Sequence, residues 1–545
     1  MTKQFVFRRS QTIGAAAAEQ DGYYLSRCFV DTGDLDVIGD VEDPRRILVG
    51  RTGSGKSALL VRLAEVEEHV LGIEPEALSL TYIANSNVLR FFSNAGVKLD
   101  IFYRLLWRHV FCVEILKERF RIDTDDRKKA FLERLWRLIP RSKKHEKALA
   151  YLRDWGESFW QETEYRIKEI TTKLEEGLQD AIAASLPQLG SLSASAAEKL
   201  TTEQKEEVTH RGQEVVNKVQ IRQLSDIIDL LGDTLLTDPQ QRYYLTIDRL
   251  DEDWVEDNLR FRLIRAVIQT SLDFTRIKNV KIIVAIRQDL VDRVYRYTRD
   301  AGFQEEKYRT SSLDITWSRN QLVDVLDSRI RVLVREQYTT AEVAHGDLLP
   351  MTAPSARKKG QKTIDWMIER TLTRPRDIIH FFNVCIKCAD GKPVISRRAL
   401  SEAEGAYSRE RLRALGDEWF GLYPNLFHLV RVLRQRKQSF AVSELLLDDL
   451  QDSIIELYAS GPGKKGLDFE LINRVWEGSL DLEGYRKRLV LVFYRVGLVG
   501  LKVEPYMPVS WSYQSGASVS TAEVRDDTRV HVQKTFWRVL GITGG

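Results

Sequence analysis

The sequence predicts an α/β protein: a parallel sheet interrupted by a helical insertion, then a helical segment, then a last domain of helices ending in a strand pair. Three observations predict it. A short buried strand, Arg46–Gly50, opens through a glycine-rich loop into an apolar-periodic helix. Two more apolar strand patterns, Tyr243–Asp248 and Val280–Ile286, alternate with helical periodicity, as in a sheet of parallel strands joined by helices. Residues 117–232, between the first strand and these two, are charged, with apolar residues at three- and four-residue spacing.

Composition narrows the class. With 43% hydrophobic and 30% charged residues, the chain is globular rather than disordered or fibrous. Its 545 residues suggest three or four folding units at roughly 150 residues each. Lys plus Arg is 82 and Asp plus Glu is 79, so the net charge of +3 neither requires nor excludes a nucleic-acid partner. Four cysteines exclude a disulfide framework. The opening MTKQFVFRRSQTIG lacks the apolar core of a signal peptide, and no apolar run reaches the roughly 18 residues of a membrane span. No membrane association and a cytoplasmic location are expected.

The first part of the sheet domain is residues 1–116. A helix is expected from Ser57 to about His69, a strand at Ala77–Ala84, and a helix at Leu99–Leu116 carrying Phe102, Leu105, Leu106, Trp107, Val110 and Phe111. The insertion, 117–232, reads as a hairpin-like arm, with ordinary helices of a larger domain as the alternative. Its stripes are Leu149, Leu152, Trp155 and Phe159, then Ile167, Ile170, Leu174 and Leu178, then Leu224, Ile227, Ile228 and Leu231. The small-residue stretch Ser185–Ala197 between them reads as a loop. Residues 233–343 complete the sheet, with a further short strand at Leu313–Trp317. His345–Lys362, with Pro350, Pro354, Gly360 and the basic Arg357, Lys358 and Lys359, reads as an exposed loop within a helical lid, 344–410. The last domain, 411–545, shows helices at Leu426–Arg436, Val442–Leu457 and Tyr485–Val496, then strands at Val499–Val503 and Val509–Tyr513. Helices followed by a hairpin suggest a winged helix. Such a domain can place its third helix in a DNA groove, and Arg486, Lys487 and Arg488 begin that helix, with Lys464 and Lys465 in a nearby loop.

The loop after the first strand carries chemistry. Gly50-Arg51-Thr52-Gly53-Ser54-Gly55-Lys56-Ser57 fits G-x-x-x-x-G-K-[ST], between a strand and a helix as that motif requires. Its glycines let backbone N–H groups point at phosphate oxygens, and the helix start adds partial positive charge. Lys56 would reach the β- and γ-phosphates of ATP, and Ser57 would offer its hydroxyl to Mg²⁺. Ala58 follows in the first helical turn. A loop of this kind needs a carboxylate ending another strand; Asp248 supplies it as the second metal ligand. Glu252 or Asp251 would orient or deprotonate the attacking water. The alternative is that this acidic run is a solvated loop.

Arg287 ends the Val280–Ile286 strand and would face the γ-phosphate if that strand lies between the other two; the alternative is a surface arginine paired with Asp289. Thr373-Arg374-Pro375-Arg376-Asp377 starts a helix, and Arg374 or Arg376 would reach nucleotide phosphate from the lid, against a structural Arg–Asp pair. Cys385 and Cys388 form a lone C-x-x-C; with Cys28 and Cys112 they read as small buried thiols rather than a zinc site.

At these residues the chain resembles P-loop ATPases of the AAA-related STAND and origin-recognition-type group. GRTGSGKS resembles a Walker A motif and YLTIDRLDE a STAND Walker B. More narrowly, the chain is similar to a bacterial P-loop ATPase family sharing IDRLDE-W (Ile247–Trp254), a strand ending in R-x-D (Arg287–Asp289) and an RPRD-led helix (Arg374–Asp377). The segments IGAAAAEQDGYYLSRCFV and ALSLTYIANS also look like that family. The resemblance implies a P-loop NTPase parallel sheet with a helical lid and a C-terminal winged-helix-like domain that reports nucleotide state. It implies an ATP- and Mg²⁺-dependent switch in anti-phage defence, working as a homo-oligomer or with an effector protein, with Arg319 the guess for an arginine finger. The rival expectations are an ATP-controlled DNA-binding protein and a scaffold that holds ATP without turnover. One departure matters: a typical AAA ATPase has Glu directly after the metal Asp, whereas Arg249 stands here, so hydrolysis would depend on Glu252 and be slow.

Overall fold

The computed structural model describes residues 5–543 except 16, 77–82, 84, 121–162, 186–191, 193, 219–227, 230, 253, 299–304, 336–342, 355–359, 461–465 and 515–518. The chain divides into two compact units, one of residues 33–50 and 59–313, the other of residues 1–32, 51–58 and 314–545.

The first unit holds the sheet. Its strands are β1 (Ile47–Gly50), β2 (His69–Ile73), β3 (Tyr243–Ile247), β4 (Val280–Arg287) and β5 (Ser312–Asp314), in the order β2-β3-β4-β1-β5. β2 with β3, β3 with β4 and β1 with β4 pair in parallel. All five residues of β3 and all but the last of β4 are buried, the pattern of central parallel strands covered on both faces. Lys281 interrupts the apolar run of β4 and is buried, its ammonium donating to Val37 O at 2.6 Å and Asp40 O at 2.7 Å. Burial pushes that ammonium down to about 8.

The glycine-rich loop leads into α1 (Lys56–Val66). The expected continuation of this helix to His69 is corrected: the chain leaves it after Val66 and returns as β2 beside β3. Most of the strand expected at Ala77–Ala84 lies outside the described residues. α2 (Asn87–Ala95) and α3 (Asp100–Phe120) follow, the latter bearing the large apolar residues expected of it. α3 is tied to α7 (Asp257–Asp273) by Arg104 and Arg108, both on Asp273 at 2.9 Å, and by Trp107 Nε1 donating to Leu263 O at 3.0 Å.

Between them stand α4 (Thr163–Ser185), α5 (Ala194–Glu198) and α6 (Thr202–Lys218). Leu174, Leu178, Ile182, Ala197 and Val208 from these helices join the same buried cluster as Phe91, Phe92 and Phe102, so the described part of 117–232 packs into the sheet unit's core. Gly212 permits the approach of α6, since a Cβ there would lie 2.7 Å from Val97 Cγ2. Of the expected loop Ser185–Ala197, residues 186–191 and 193 lie outside the described residues, and residues 194–197 belong to the short α5. Leu149, Leu152, Trp155, Phe159, Leu224 and Ile227 lie outside the described residues. α8 (Gln288–Tyr297) follows β4.

The second unit contains α9 (Arg319–Arg335), α10 (Pro375–Cys388) and α11 (Arg397–Trp419), which share a core with Phe7 and Ile13. Asp21 and Arg329 form a buried ion pair beneath them, and Arg329 Nη1 also donates to Ile13 O at 2.9 Å. Arg357, Lys358 and Lys359 lie outside the described residues. Cys28, Cys112 and Cys385 are buried and Cys388 is half-buried, all four as free thiols.

Beyond α11 lie α12 (Leu447–Ser460), α13 (Leu467–Trp476) and α14 (Leu482–Arg495), with an antiparallel sheet of β6 (Ser439–Ala441), β7 (Val499–Lys502) and β8 (Arg529–Val532) in the order β6-β8-β7. The expected hairpin is corrected in its second strand: Val509–Tyr513 pairs its backbone with β7 only at an isolated Leu501–Ser510 bridge, and the ladder partner of β7 is β8. Among the described residues no helix is long and apolar enough to cross a membrane.

Candidate functional site

The expected site residues fall into two groups. The loop 51–58, Arg374 and Arg376 come together in the helical unit. Gly50, Asp248, Asp251, Glu252 and Arg287 come together at the carboxyl edge of the sheet.

In the loop, Gly53 has φ +78° and Gly55 φ +99°, the left-handed region that favours glycine. Ser54 N–H closes a turn onto Arg51 O at 3.1 Å. Lys56 is buried, and its Nζ donates back to Arg51 O at 3.2 Å. Trp317 Nε1 donates to Ser54 O at 2.7 Å, and a Cβ on Gly55 would sit 3.5 Å from the Trp317 ring. The buried Thr52 and Ser54 hydroxyls have no hydrogen-bond partner among the described residues.

The loop is gripped at the start of α10. Pro375 opens that helix with Arg374 as its N-cap residue. Arg374 Nη1 donates to Thr52 O at 2.7 Å, and Arg376 N–H to Gly53 O at 3.4 Å. A Cβ on Gly53 would lie 2.6 Å from Arg376 Cβ, so glycine there answers both the backbone angle and this approach. Arg374 is buried with its charge matched: Nε meets Asp377 Oδ2 at 3.0 Å and Nη1 meets Glu418 Oε2 at 3.3 Å. Burial works against this guanidinium, but Asp377 and Glu418 outweigh it and raise its pKa above the ordinary value. Asp377 is fully buried, accepts Leu372 N–H at 3.0 Å and faces Arg411 at 3.4 Å; despite burial, Arg374 and Arg411 hold its carboxyl well below the usual range. Arg376 is half-buried, and burial and the neighbouring Arg374 lower its guanidinium.

Arg51 reaches Val496 and Glu418. Its Nη2 donates to Val496 O at 2.6 Å, Glu418 stands at 4.0 Å, and the Tyr513 ring centre lies 6.0 Å from the guanidinium carbon. Gly497, at φ +82°, makes room: a Cβ there would lie 2.5 Å from Arg51 Nη1. Burial lowers this guanidinium and Glu418 opposes the shift.

At the sheet edge, Gly50 ends β1 opposite Arg287, and Asp248 follows Ile247 at the end of β3. β4 lies between β1 and β3, the condition on which Arg287 was expected to face a γ-phosphate. The Arg287 guanidinium holds Asp289 through Nε at 2.9 Å and Nη2 at 3.1 Å, and Asp251 through Nη1 at 3.0 Å. Asp248 Oδ1 accepts the Arg249 N–H at 2.8 Å. Arg249 has φ +60°, a strained angle for a non-glycine residue, and its side chain approaches Glu74 at 3.6 Å and Glu252 at 3.9 Å. Burial raises the Glu252 carboxyl; Arg249 lowers it, while Asp251, Glu76 and Glu74 raise it further.

Three residues that hold the loop escaped the sequence reading: Trp317, Glu418 and Val496. Trp317 had the only local signal, a tryptophan closing a short strand pattern. Arg319, the guess for an arginine finger, pairs with Asp365 of its own chain. On α14, Arg486 is buried against Asp526 at 2.9 Å, and Lys487 meets the same carboxylate at 3.6 Å. Lys464 and Lys465 lie outside the described residues.

Residues 320–416 match the FunZ-associated C-terminal helical domain family, a span that holds nearly all of α9 and α11 and the whole of α10. The chain is also similar to a protein of Escherichia coli (strain K12) described as "Putative transposon gamma-delta 80.3 kDa protein", 21% identical over 548 residues covering 98% of this chain and 67% of that protein. No solved structure matches the chain.

Proposed function

We propose that this chain is a P-loop ATPase working as a nucleotide-dependent switch. The observation that carries the reading is the strand order: GRTGSGKS leaves the carboxyl end of β1, Asp248 follows β3, and β4 with Arg287 lies between them. Ligands of open α/β sheets bind at that edge. In this reading Lys56 leaves Arg51 O to meet the β- and γ-phosphates of ATP. Ser57 and Asp248 are the Mg²⁺ ligands; both offer hard oxygen, as that ion requires. When bound, the ion neutralises charge developing on the phosphates.

Glu252 orients or deprotonates water, Asp251 being the second choice, and Arg287 senses the γ-phosphate on exchanging a carboxylate partner for it. The buried Thr52 and Ser54 hydroxyls are unspent donors beside the phosphate-facing backbone. Arg374 and Arg376 act on the loop's carbonyls, as holders of its shape. Phosphate that redirects Lys56 is thereby felt at the start of α10, which gives the switch its mechanical link.

The setting we propose is bacterial anti-phage defence with an effector protein, on the motif resemblance. The transposon relative favours a second reading, an ATPase whose nucleotide state governs DNA binding. The β6-β8-β7 order suits a winged helix, but Asp526 competes for the first charges of α14. Lys56→Ala tests the reading: ATP binding and phosphate release should both be lost, and a variant that binds and turns over ATP normally overturns it. Binding without turnover in the wild type would leave the scaffold function. A gel shift that weakens steeply with salt would support the DNA reading.

A further inference from the structure

We propose a second ligand site in the helical unit, shaped for a planar heteroaromatic ring of the nucleobase kind. It is a cavity of about 760 Å³ bounded by Trp511, Tyr513, Trp537, Gln361, Gln438 and His531. This volume lies in the range of small-molecule sites.

Trp511 is a built platform. A Cβ on Gly500 would lie 2.6 Å from Val509 Cγ1 and 2.7 Å from Trp511 Cδ2, so only glycine in β7 lets the indole lie against the strand. The Tyr513 ring stacks beside it, centroids 5.6 Å apart at 29°. Half-buried, this pair lines the cavity with an aromatic wall. Such a wall favours flat rings through their π-faces.

The charges around the cavity cancel. Arg319 pairs with Asp365, and Lys534 with Glu369. His531 is held toward its neutral form by burial, then by Lys502 and Arg529. No unpaired Lys or Arg lines the cavity to select a phosphate, so the site suits an uncharged ring. Hydrogen-bonding groups for a base edge are present: the Gln438 and Gln361 amides, the Ser439 hydroxyl and the Trp511 indole N–H, the last without a partner among the described residues.

The cavity also touches what holds the glycine-rich loop. Tyr513 lies against Arg51, and Thr371 and Thr373 of the wall run directly into Arg374. An occupant would therefore bias the loop; that effect rests on the ATPase reading, whereas binding itself does not.

The test is calorimetric titration of the full chain with adenosine, guanosine, cytidine and uridine, which carry no phosphate for the loop. One or more should bind with one-to-one stoichiometry at millimolar or lower concentration. Trp511→Ala should weaken it about tenfold or more, Trp511→Phe should retain most of it, and Lys56→Ala should leave it unchanged. Gln438→Leu, at a half-buried lining position, should weaken binding without moving the thermal midpoint, which keeps the test valid if Trp511→Ala misfolds. The proposal is overturned if no nucleoside binds, if ribose or glucose binds as well, if the Trp511 and Gln438 variants bind normally, or if Lys56→Ala abolishes binding. Loss of ATP turnover with intact nucleoside binding leaves this site standing.

Discussion

Asp377→Asn should destabilise the helical unit sharply, although the new side chain has nearly the same shape. The wild-type carboxylate is fully buried, accepts from Leu372 N–H at 3.0 Å, Arg374 Nε at 3.0 Å and Arg374 Nη2 at 3.3 Å, and forms an ion pair with Arg411 at 3.4 Å. The amide removes the negative charge and replaces one acceptor with a donor facing a cation. Arg374 then keeps only Glu418 as an opposite charge, and three arginines, 51, 374 and 411, stand in one buried region. Removing one member of a buried ion pair costs roughly 3–5 kcal/mol. At about 2–4 °C per kcal/mol for a unit of this size, the lower bound corresponds to a fall of about 6–12 °C in thermal midpoint.

The pH dependence has a definite sign. The Asp377 carboxyl is depressed in the folded state, so its contribution is complete above the unfolded pKa of about 4 and is lost as pH falls below it. Urea denaturation of both proteins at pH 7, repeated down to the acid limit, measures this. The gap should be about 3 kcal/mol or more at pH 7 and should close on acidification. A gap under about 1 kcal/mol at pH 7 would refute the view that this carboxylate holds the arginines in place.

The remaining predictions concern turnover and a second titration. Glu252→Gln should bind ATP with little change and release phosphate about a hundredfold or more slowly in a steady-state assay; normal turnover would move the base to Asp251. Asp468, buried while accepting Asn425 N–H at 2.7 Å and Phe469 N–H at 2.9 Å, has its carboxyl pushed up to about 6 by burial. A raised carboxyl holds a proton in the folded state that the unfolded chain has released, so stability should fall by up to about 3 kcal/mol as pH rises from about 4 to about 6. Asp468→Asn should flatten that slope in denaturation measured across this window, and an unchanged slope would assign it to another group.

Sheet and loop were legible where local physics dominates. β3 and β4 are buried and mostly apolar because both faces are covered, and Gly53 and Gly55 of the loop sit where backbone angles demand glycine. β2 was not legible: His69–Ile73 is a half-covered edge strand containing Gly72, and it directly follows a helix whose apolar spacing runs into it. β8, Arg-Val-His-Val, is short and distant in sequence from its partners, so nothing nearby marks it as the mate of β7 rather than Val509–Tyr513. The holders of the loop were hidden for the same reason. Glu418 sits in a charged helix, where a glutamate ordinarily faces water, and Val496 contributes only its carbonyl. RPRD was read correctly as a helix start; that its arginine would clasp Thr52 O follows from tertiary packing alone.

The bonds from Arg374 to Thr52 and from Arg51 to Val496 bridge 322 and 445 residues. At about 5–20 residues per second, a ribosome that has just delivered the glycine-rich segment needs about 20–90 s to deliver Val496. Until that interval ends the motif lacks the Val496 part of its clasp. Truncated products ending before Glu418 would carry the full signature yet lack Glu418 and Val496, the partners of Arg51, so the loop's form depends on an intact carboxyl half.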